Sequence, residues 1–555
     1  MKKTTLVMAA VFALFCAVYG NNLSDITTIG TGVCPRGVAI GDKNQIIVAN
    51  FGAGTLIGQD TSNTPNSSVS IYPGSSSVPA PLQCGNSPRG VAYANINGTG
   101  IIAISNYDDG TVMVYTNNNG TPVLKDTIAV GKHPVGVAIG DLDNNGQPDI
   151  ACAVYSDSKV VVIMNEFSKN VQKLEIPVPG NPTDVAMGTI GKDNVVVSAN
   201  YNAGNVSVIK LAGAGLTIAN NITTGGGPCK VAIANVMDNG SNDIVVANFY
   251  DNTVSIIQGP ALTQTTTIKL TGTRPNGLCV ADVTGSGKND IITANRDSDS
   301  IDVIMKRAGV FQVIKSFQVT TDKDQTFGPV EVAAGDVNGD GLNDIVFTHM
   351  RTNTIRVIYQ EPPAAPGVSS SSHPDQSLWY TDNSPVIQLA APADLNGISG
   401  YLYTISKNTG SFSADKATFS SSPEIKLSGL ETGKWVFTAA VKDSAGNIGK
   451  PTQYNINITE DMSDTNTYNY PNPCKGSTTI RFPLTATQEI KIMITDVNGR
   501  AVWHKDLSQN DVIAGVNTIQ WNCVNDNGVE VANGVYIMKV SSKTKTVTKK
   551  IAVVK

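Results

Sequence analysis

The stretch PCKVAIANVMDNGSNDIVVANFYDNTVSII, residues 228–257, holds three short β-branched runs separated by Asn, Asp and Gly. Runs of this length with such boundaries read as strands joined by tight turns. The same arrangement recurs along the chain. A Val-Ala-like pair stands at Val38, Val91, Val137, Val185, Val231, Leu278 and Val332, a period of about 49 residues. A proline lies just ahead of each, at Pro35, Pro88, Pro134, Pro182, Pro228, Pro275 and Pro329. Every unit but the last adds a weaker fourth strand, such as 265–269. Seven four-stranded units predict an all-β chain whose residues 21–360 form a seven-bladed β-propeller. The seventh unit runs into Glu361-Pro362-Pro363 without a fourth strand, whereas 25–30 is patterned like the fourth strands elsewhere. Residues 24–30 are therefore expected to close the last blade and remove the open seam.

Composition bounds the function. Lys+Arg 40 against Asp+Glu 45 gives a net charge of −5, which excludes the basic footprint of a nucleic-acid binder. Lys2 and Lys3 precede an apolar run over 6–18, and Val18-Tyr19-Gly20 offers a cleavage site. Residues 1–20 thus read as a signal peptide cut near Gly20. No later stretch is long and apolar enough to span a membrane as a helix. Without Cys16 an odd set of cysteines remains, so at least one is free or pairs between chains.

The strongest chemical signal is in two loops, DVNGDGLND at 336–344 and DLDNNGQPD at 141–149. Asp336, Asn338, Asp340 and Asp344 place oxygens at positions 1, 3, 5 and 9, and Asp141, Asp143, Asn145 and Asp149 repeat the spacing. Leu342 and Gln147 occupy position 7 and would supply backbone carbonyls. Such sets suit a hard cation with 6–8 oxygen ligands. Asp/Asn/Gly turns between strands also form without metal, so both readings stand at this point. Asp282, Thr284, Ser286 and Asp290 make a weaker version, and Asn235, Asn239 and Asp243 with Met237 a weaker one still.

These loops, with the VANFYDNTVSII that follows the 228 unit, resemble FG-GAP/VCBS-type propeller repeats over roughly 24–360. The resemblance implies structural Ca²⁺ in the loops and a role in adhesion, partner binding or, in some members, catalysis. Fold does not select among these.

Strand alternation puts a second register on the opposite end of the units: Phe51, Tyr107, Tyr155, Tyr201 and Phe249, with Arg296 and Met350 in the other two. Such residues could stack a sugar or anchor a protein, or simply pack between neighbouring blades. No G-x-S-x-G or H-E-x-x-H occurs. Lys132, His133, Arg274 and Arg296 are the groups available to a polysaccharide lyase or hydrolase, and no motif links them.

Residues 361–374 (EPPAAPGVSSSSHP) read as an extended linker. In 375–459, WVF at 435–437 and DSAGN at 443–447 resemble Ig-like or fibronectin-III-like sandwiches. In 465–555, YPNP at 470–473, ITDVNGR at 494–500, NDNG at 525–528 and GVYIMK at 534–539 resemble the type A sorting domain of type IX secretion. That series is similar also to the Ig-like domain of flagellar hook-capping proteins. Cys474 and Cys523 share this module and are the candidate disulfide. The resemblance implies passage through a Gram-negative envelope by the secretion machinery, to the medium or the outer surface. The combined expectation is a non-enzymatic binding or adhesion protein for a glycan or surface protein. A structural envelope component and a polysaccharide-active enzyme are the alternatives.

Overall fold

A computed structural model describes residues 26–52, 67–74, 79–118, 121–165, 171–319, 328–394 and 396–554. The signal-peptide residues 1–20 lie outside these, as do residues 24 and 25 of the closing segment. The chain divides into two compact units, Asn22–Glu361 and a second containing Pro362–Lys555.

Among the described residues, the first unit is built of seven four-stranded antiparallel sheets. Pro228–Ala234, Asp243–Asn248, Thr253–Ile257 and Thr265–Lys269 are one of them, side by side in chain order. Six follow this pattern. The seventh takes Pro329–Gly335, Asp344–His349 and Thr354–Ile358 from the end of the unit and Thr27–Gly30 from its start. Thr27 lies opposite Val357 and Gly30 opposite Thr354. The first strand of each sheet packs against the first strand of the next, and Pro329–Gly335 returns to Pro35–Ile40 to complete the cycle. The ring is closed.

The second strand of each sheet is buried over all or nearly all of its length, as in Asp149–Val154, Asp243–Asn248 and Asp290–Asn295. Its side chains alternate between two apolar layers, each shared with one neighbouring sheet. Ile101, Val112 and Val114 thus pack with Val137, Cys152 and Val161 of the next repeat. Each fully buried Val or Ile contributes about 1.5–3 kcal/mol. β-Branched residues suit these pleated, enclosed surfaces.

In four repeats the first strands come so close that no side chain fits at one level, and glycine stands there. A Cβ on Gly90 would sit 2.2 Å from Val135 O, and one on Gly37 2.7 Å from Arg89 O. The equivalent position carries a charge in three repeats: Asp184, Lys230 and Glu331. Lys230 Nζ lies 3.2 Å from Asp184 Oδ1 and 2.7 Å from Glu331 Oε2. It reaches past the intervening repeat, which has Gly277 at this level. Burial pushes the Glu331 carboxyl up to about 7 and raises Asp184 too. Burial works against the Lys230 charge, but the two carboxylates outweigh it and hold the ammonium above its usual range.

In the second unit, Gly367–Ser370, Val386–Ala390 and Glu424–Lys426 form a three-stranded sheet beside a five-stranded one centred on Gly433–Asp443. This corrects the expected linker over 361–374. Gly367–Ser370 pairs antiparallel with Val386–Ala390, and His373 is buried with its Nε2 2.7 Å from Asp382 O. Serines read as solvated linker instead supply hydroxyls that bind strand backbone, as Ser370 Oγ does to Val386 O at 2.7 Å. Seven further strands over 468–553 form the last sheet system, wrapped around Trp521, Phe482 and Ile492. Cys474 and Cys523 are buried in that core with sulfurs 3.4 Å apart.

Candidate functional site

The Asp- and Asn-rich loops join first to second strands at one end of the sheets. In the 141–149 loop, Asp141 accepts the N–H groups of Asn145 (3.0 Å) and Gly146 (2.8 Å). Asp143 accepts Asn145 N–H at 3.2 Å, and Asn145 Oδ1 accepts Gln147 N–H at 2.7 Å. The 336–344 loop repeats the scheme. Asp336 accepts Gly339 and Gly341 N–H, Asn338 accepts Asp340 N–H, and Asp340 accepts Leu342 N–H. Side-chain oxygens binding the N–H two residues on are Asx turns, which explain the alternate spacing without an ion. Gln147 and Leu342 enter both loops through these N–H groups.

The carboxylate at position 9 has its own task. Asp149 Oδ2 accepts Leu142 N–H (2.7 Å) and its Oδ1 accepts Asn165 N–H (2.7 Å), tying the loop to the end of the third strand. Asp344 does the same with Val337 and Gln360, and Asp243 with Val236 and Gly259. Asp243 belongs to the loop with Met237 at position 3, so this clamp needs no complete cation set. Burial, with smaller effects from the loop's other carboxylates, pushes Asp149 and Asp344 up to about 6. Asp290 accepts Val283 and Thr284 N–H and the Thr284 hydroxyl through Oδ2, while its buried Oδ1 has no partner among the described residues. Burial pushes it up to about 7.

The two intact loops differ in one respect. Oxygens of Asp141, Asp143 and Asp149 all lie within 4.8 Å of one another, the one such acidic cluster among the described residues. With Asn145, this donor set fits a hard divalent cation. Asp336, Asp340 and Asp344 do not converge to that degree. Asp282 accepts Ser286 and Gly287 N–H at 2.9 and 2.7 Å, and Ser286 Oγ accepts Lys288 N–H at 3.3 Å, so this loop is held by its own backbone bonds.

A belt of asparagines links the loops around the ring. Asn194 Nδ2 donates to Asp141 O (2.7 Å), Asn242 to Thr189 O (2.8 Å), Asn289 to Asn235 O (3.0 Å) and Asn343 to Asp282 O (3.1 Å). Each joins one repeat to its predecessor. The Asn-Asp dipeptides at 242, 289 and 343 carried this signal, and reading them as turn filler missed it.

At the opposite end lies the aromatic register, each residue directly after a second strand. Its backbone N–H is held by the carbonyl ahead of the proline, as in Phe51 to Cys34 (3.0 Å), Tyr107 to Ser87 (3.0 Å) and Phe249 to Gly227 (2.9 Å). The rings touch across repeats: Phe51 and Tyr107 have centroids 6.0 Å apart, as do Tyr201 and Phe249. Phe249 is buried, whereas Tyr250 beside it is 58 % exposed and was not foreseen. Tyr155 is half-buried, its carbonyl accepting Asn181 Nδ2 at 2.9 Å. Packing between neighbouring repeats therefore accounts for much of this register.

Four guanidiniums also gather here. Arg36 lies 5.4 Å over Phe51 and Arg89 5.1 Å over Tyr107, while Arg274 and Arg296 lie 5.2 and 4.8 Å over Phe249. Arg274 and Arg296 share Asp297, at 3.1 and 2.9 Å. His133 stacks on Tyr107 at 4.3 Å, with its Nδ1 2.7 Å from Ser156 Oγ. The lyase candidates are thus split between a His133 cluster and an Arg274/Arg296 cluster. Arg36 and Arg89 escaped the sequence reading, although the identical pentapeptide PRGVA at 35–39 and 88–92 marks both.

Residues 469–554 match the family described as secretion system C-terminal sorting domain. Residues 282–347 match the FG-GAP-like repeat. The chain carries both modules. The sorting domain implies export by type IX secretion to the cell surface or beyond, and hence contact with that machinery. No curated protein matches the chain. Among solved structures, a functionally unknown protein from Desulfotomaculum acetoxidans is 13 % identical over 52 % of this chain and 88 % of its own, TM-score 0.40. The extracellular domain of a putative one-component system from B. thetaiotaomicron is 11 % identical over 79 % of this chain and 60 % of its own, TM-score 0.37. A putative 6-phosphogluconolactonase from Bacteroides fragilis is 16 % identical over 52 % and 85 %, TM-score 0.39. No helix among the described residues is long and apolar enough to cross a membrane.

Proposed function

We propose that the chain is a non-enzymatic binding or adhesion protein, exported with a cleaved signal peptide and displayed or released outside a Gram-negative cell. In this reading the ring is a seven-bladed propeller of FG-GAP type, residues 367–459 are an Ig-like spacer, and the C-terminal module serves sorting. The propeller presents its arginine- and aromatic-bearing end to a glycan or a surface protein. The observation that supports it is the gathering of four guanidiniums and a register of rings at one end of the ring. Clusters rich in Arg and Tyr are what interfaces use as anchors.

Ca²⁺ is assigned to the 141–149 loop first, with Asp141, Asp143, Asn145 and Asp149 as ligands. Its role would be to neutralise three converging carboxylates and hold the loop between two strands. The 336–344 loop is the second candidate, and 282–290 the weakest.

The test uses the mature full-length protein in a glycan and cell-surface binding screen, run beside polymer-turnover assays. Binding that falls on Tyr107→Ala plus Tyr201→Ala supports the reading, and turnover of any polymer overturns it. In the same preparation Ca²⁺ should raise the melting temperature, because a ligand bound only by the folded state stabilises it. An unchanged Ca²⁺ response in Asp143→Ala would reduce the loop to a plain turn.

A further inference from the structure

The two arginine clusters differ in how their charge is met. Arg274 and Arg296 are bridged by Asp297. Arg36 and Arg89 stand on neighbouring first strands, so close that Gly37 faces the Arg89 carbonyl. Neither has a carboxylate partner among the described residues, and Arg36 Nε is buried with no hydrogen bond. Burial first and the Arg36 charge second push the Arg89 guanidinium down to about 10, still a cation at neutral pH.

The acids of the adjoining loops are already hydrogen-bonded elsewhere. Asp108 accepts the Ser87 hydroxyl, Asp109 accepts Asn86, and Asp157 accepts Lys132 N–H. Two like charges pressed together without a counter-ion make a poor structural device, since each raises the cost of burying the other. They make a good receptor. Phe51 and Tyr107 hold the guanidinium planes by cation–π contact, and the Tyr107 side chain also bonds Arg89; the remaining N–H groups of the pair suit a planar anion that can accept two bonds at once.

We propose that Arg36 and Arg89 form an anion subsite that takes the carboxylate of a uronate-type sugar. The proposal rests on the glycan half of the functional reading above. Asp108, Asp109 and Asp157 in the adjoining loops would repel a densely charged polymer. They favour a ligand whose negative charges are isolated among neutral hydroxyl groups. An acidic peptide has the same carboxylate without those hydroxyls, and the experiment separates the two.

The probes are a uronate-containing oligosaccharide, its carboxyl-reduced neutral counterpart and an aspartate-rich peptide, each titrated into the full-length protein. The acidic sugar should bind at least tenfold more tightly than the reduced one, and less tightly as salt rises. Arg36→Gln or Arg89→Gln should bring it down to the reduced sugar's level, while Lys543→Gln, on an exposed turn of the C-terminal module, leaves it unchanged. Arg89→Gln should also melt at or above the wild-type temperature, because it relieves an uncompensated charge. A fall in melting temperature with binding intact would assign Arg89 to packing and overturn the proposal. Equal binding of both sugars, lost in Tyr107→Ala, would keep the ligand face and overturn the anion subsite. Preference for the peptide overturns the sugar assignment, and no binding of either sugar overturns both this proposal and the glycan reading.

Discussion

At the residue scale, the informative positions are those where one repeat departs from the others. Glu331 replaces a glycine seen in four repeats and meets Lys230 at 2.7 Å. Its carboxyl is raised to about 7, against about 4.3 for an unperturbed glutamate. A raised folded-state pKa means that its contribution to stability is full below the unfolded value and is lost as pH rises through the folded one. The melting temperature should therefore fall between about pH 5 and pH 8, by on the order of 2 kcal/mol in stability. Glu331→Gln should flatten that slope, and parallel wild-type and variant curves would show that Glu331 titrates normally. The convergence of Asp141, Asp143 and Asp149 was legible in their alternate spacing. The clamp made by Asp149 was not, because its partner Asn165 lies beyond a whole strand pair and carries no motif. Charge balance at Arg36 and Arg89 was hidden for a similar reason, since a missing partner leaves no trace in sequence.

At the scale of elements, the second strand does most of the organising. It ends in Asn50, Asn106, Asn200, Asn248 and Asn295 in five repeats, all fully buried. Asn248 accepts Gly225 N–H at 3.1 Å and donates to Thr253 and Ser255 hydroxyls at 3.0 and 2.9 Å. It fastens the incoming loop to the third strand. Asn248→Ala should cost about 2–3 kcal/mol, because it removes three bonds and strands buried polar partners. Denaturant unfolding would measure this, and a loss under ~0.5 kcal/mol, typical of a surface change, would disprove the staple. Strands were legible because β-branched runs alternate between two packed faces. The staples were not, because an Asn beside Asp and Gly looks like turn material until its side chain is seen pointing inward. The serines of 367–374 misled in the opposite direction, since their composition matches a free linker while their hydroxyls complete a sheet.

For the whole first unit, the count of repeats and the borrowed strand were both visible, because periodicity does not depend on side-chain detail. Ile29 is buried against Val346 and Ile355 in the core shared by the first and last repeats. Tyr72 of the first sheet donates its hydroxyl to Gly30 O at 2.8 Å, so the borrowed strand is fixed from two sides. Removing Thr27–Gly30 would leave Thr354–Ile358 as a bare apolar edge, a template for pairing with another chain. Such a truncated protein should melt several degrees lower, on the order of 5 °C or more, and should form oligomers in sedimentation. A monomer of wild-type stability would mean that the ring holds without its latch.

That latch also orders events in time. Thr27 and Val357 are partners across 330 residues of chain, and contacts so distant in sequence are slow to find. The segment made first can be placed only after the last sheet is complete. Until then the half-built ring shows an unsatisfied strand and an exposed apolar layer, the species most prone to aggregate. Sealing is thus the closing act of folding, and mutations that weaken Ile29 packing should show first as slow maturation rather than as a change in the finished ring.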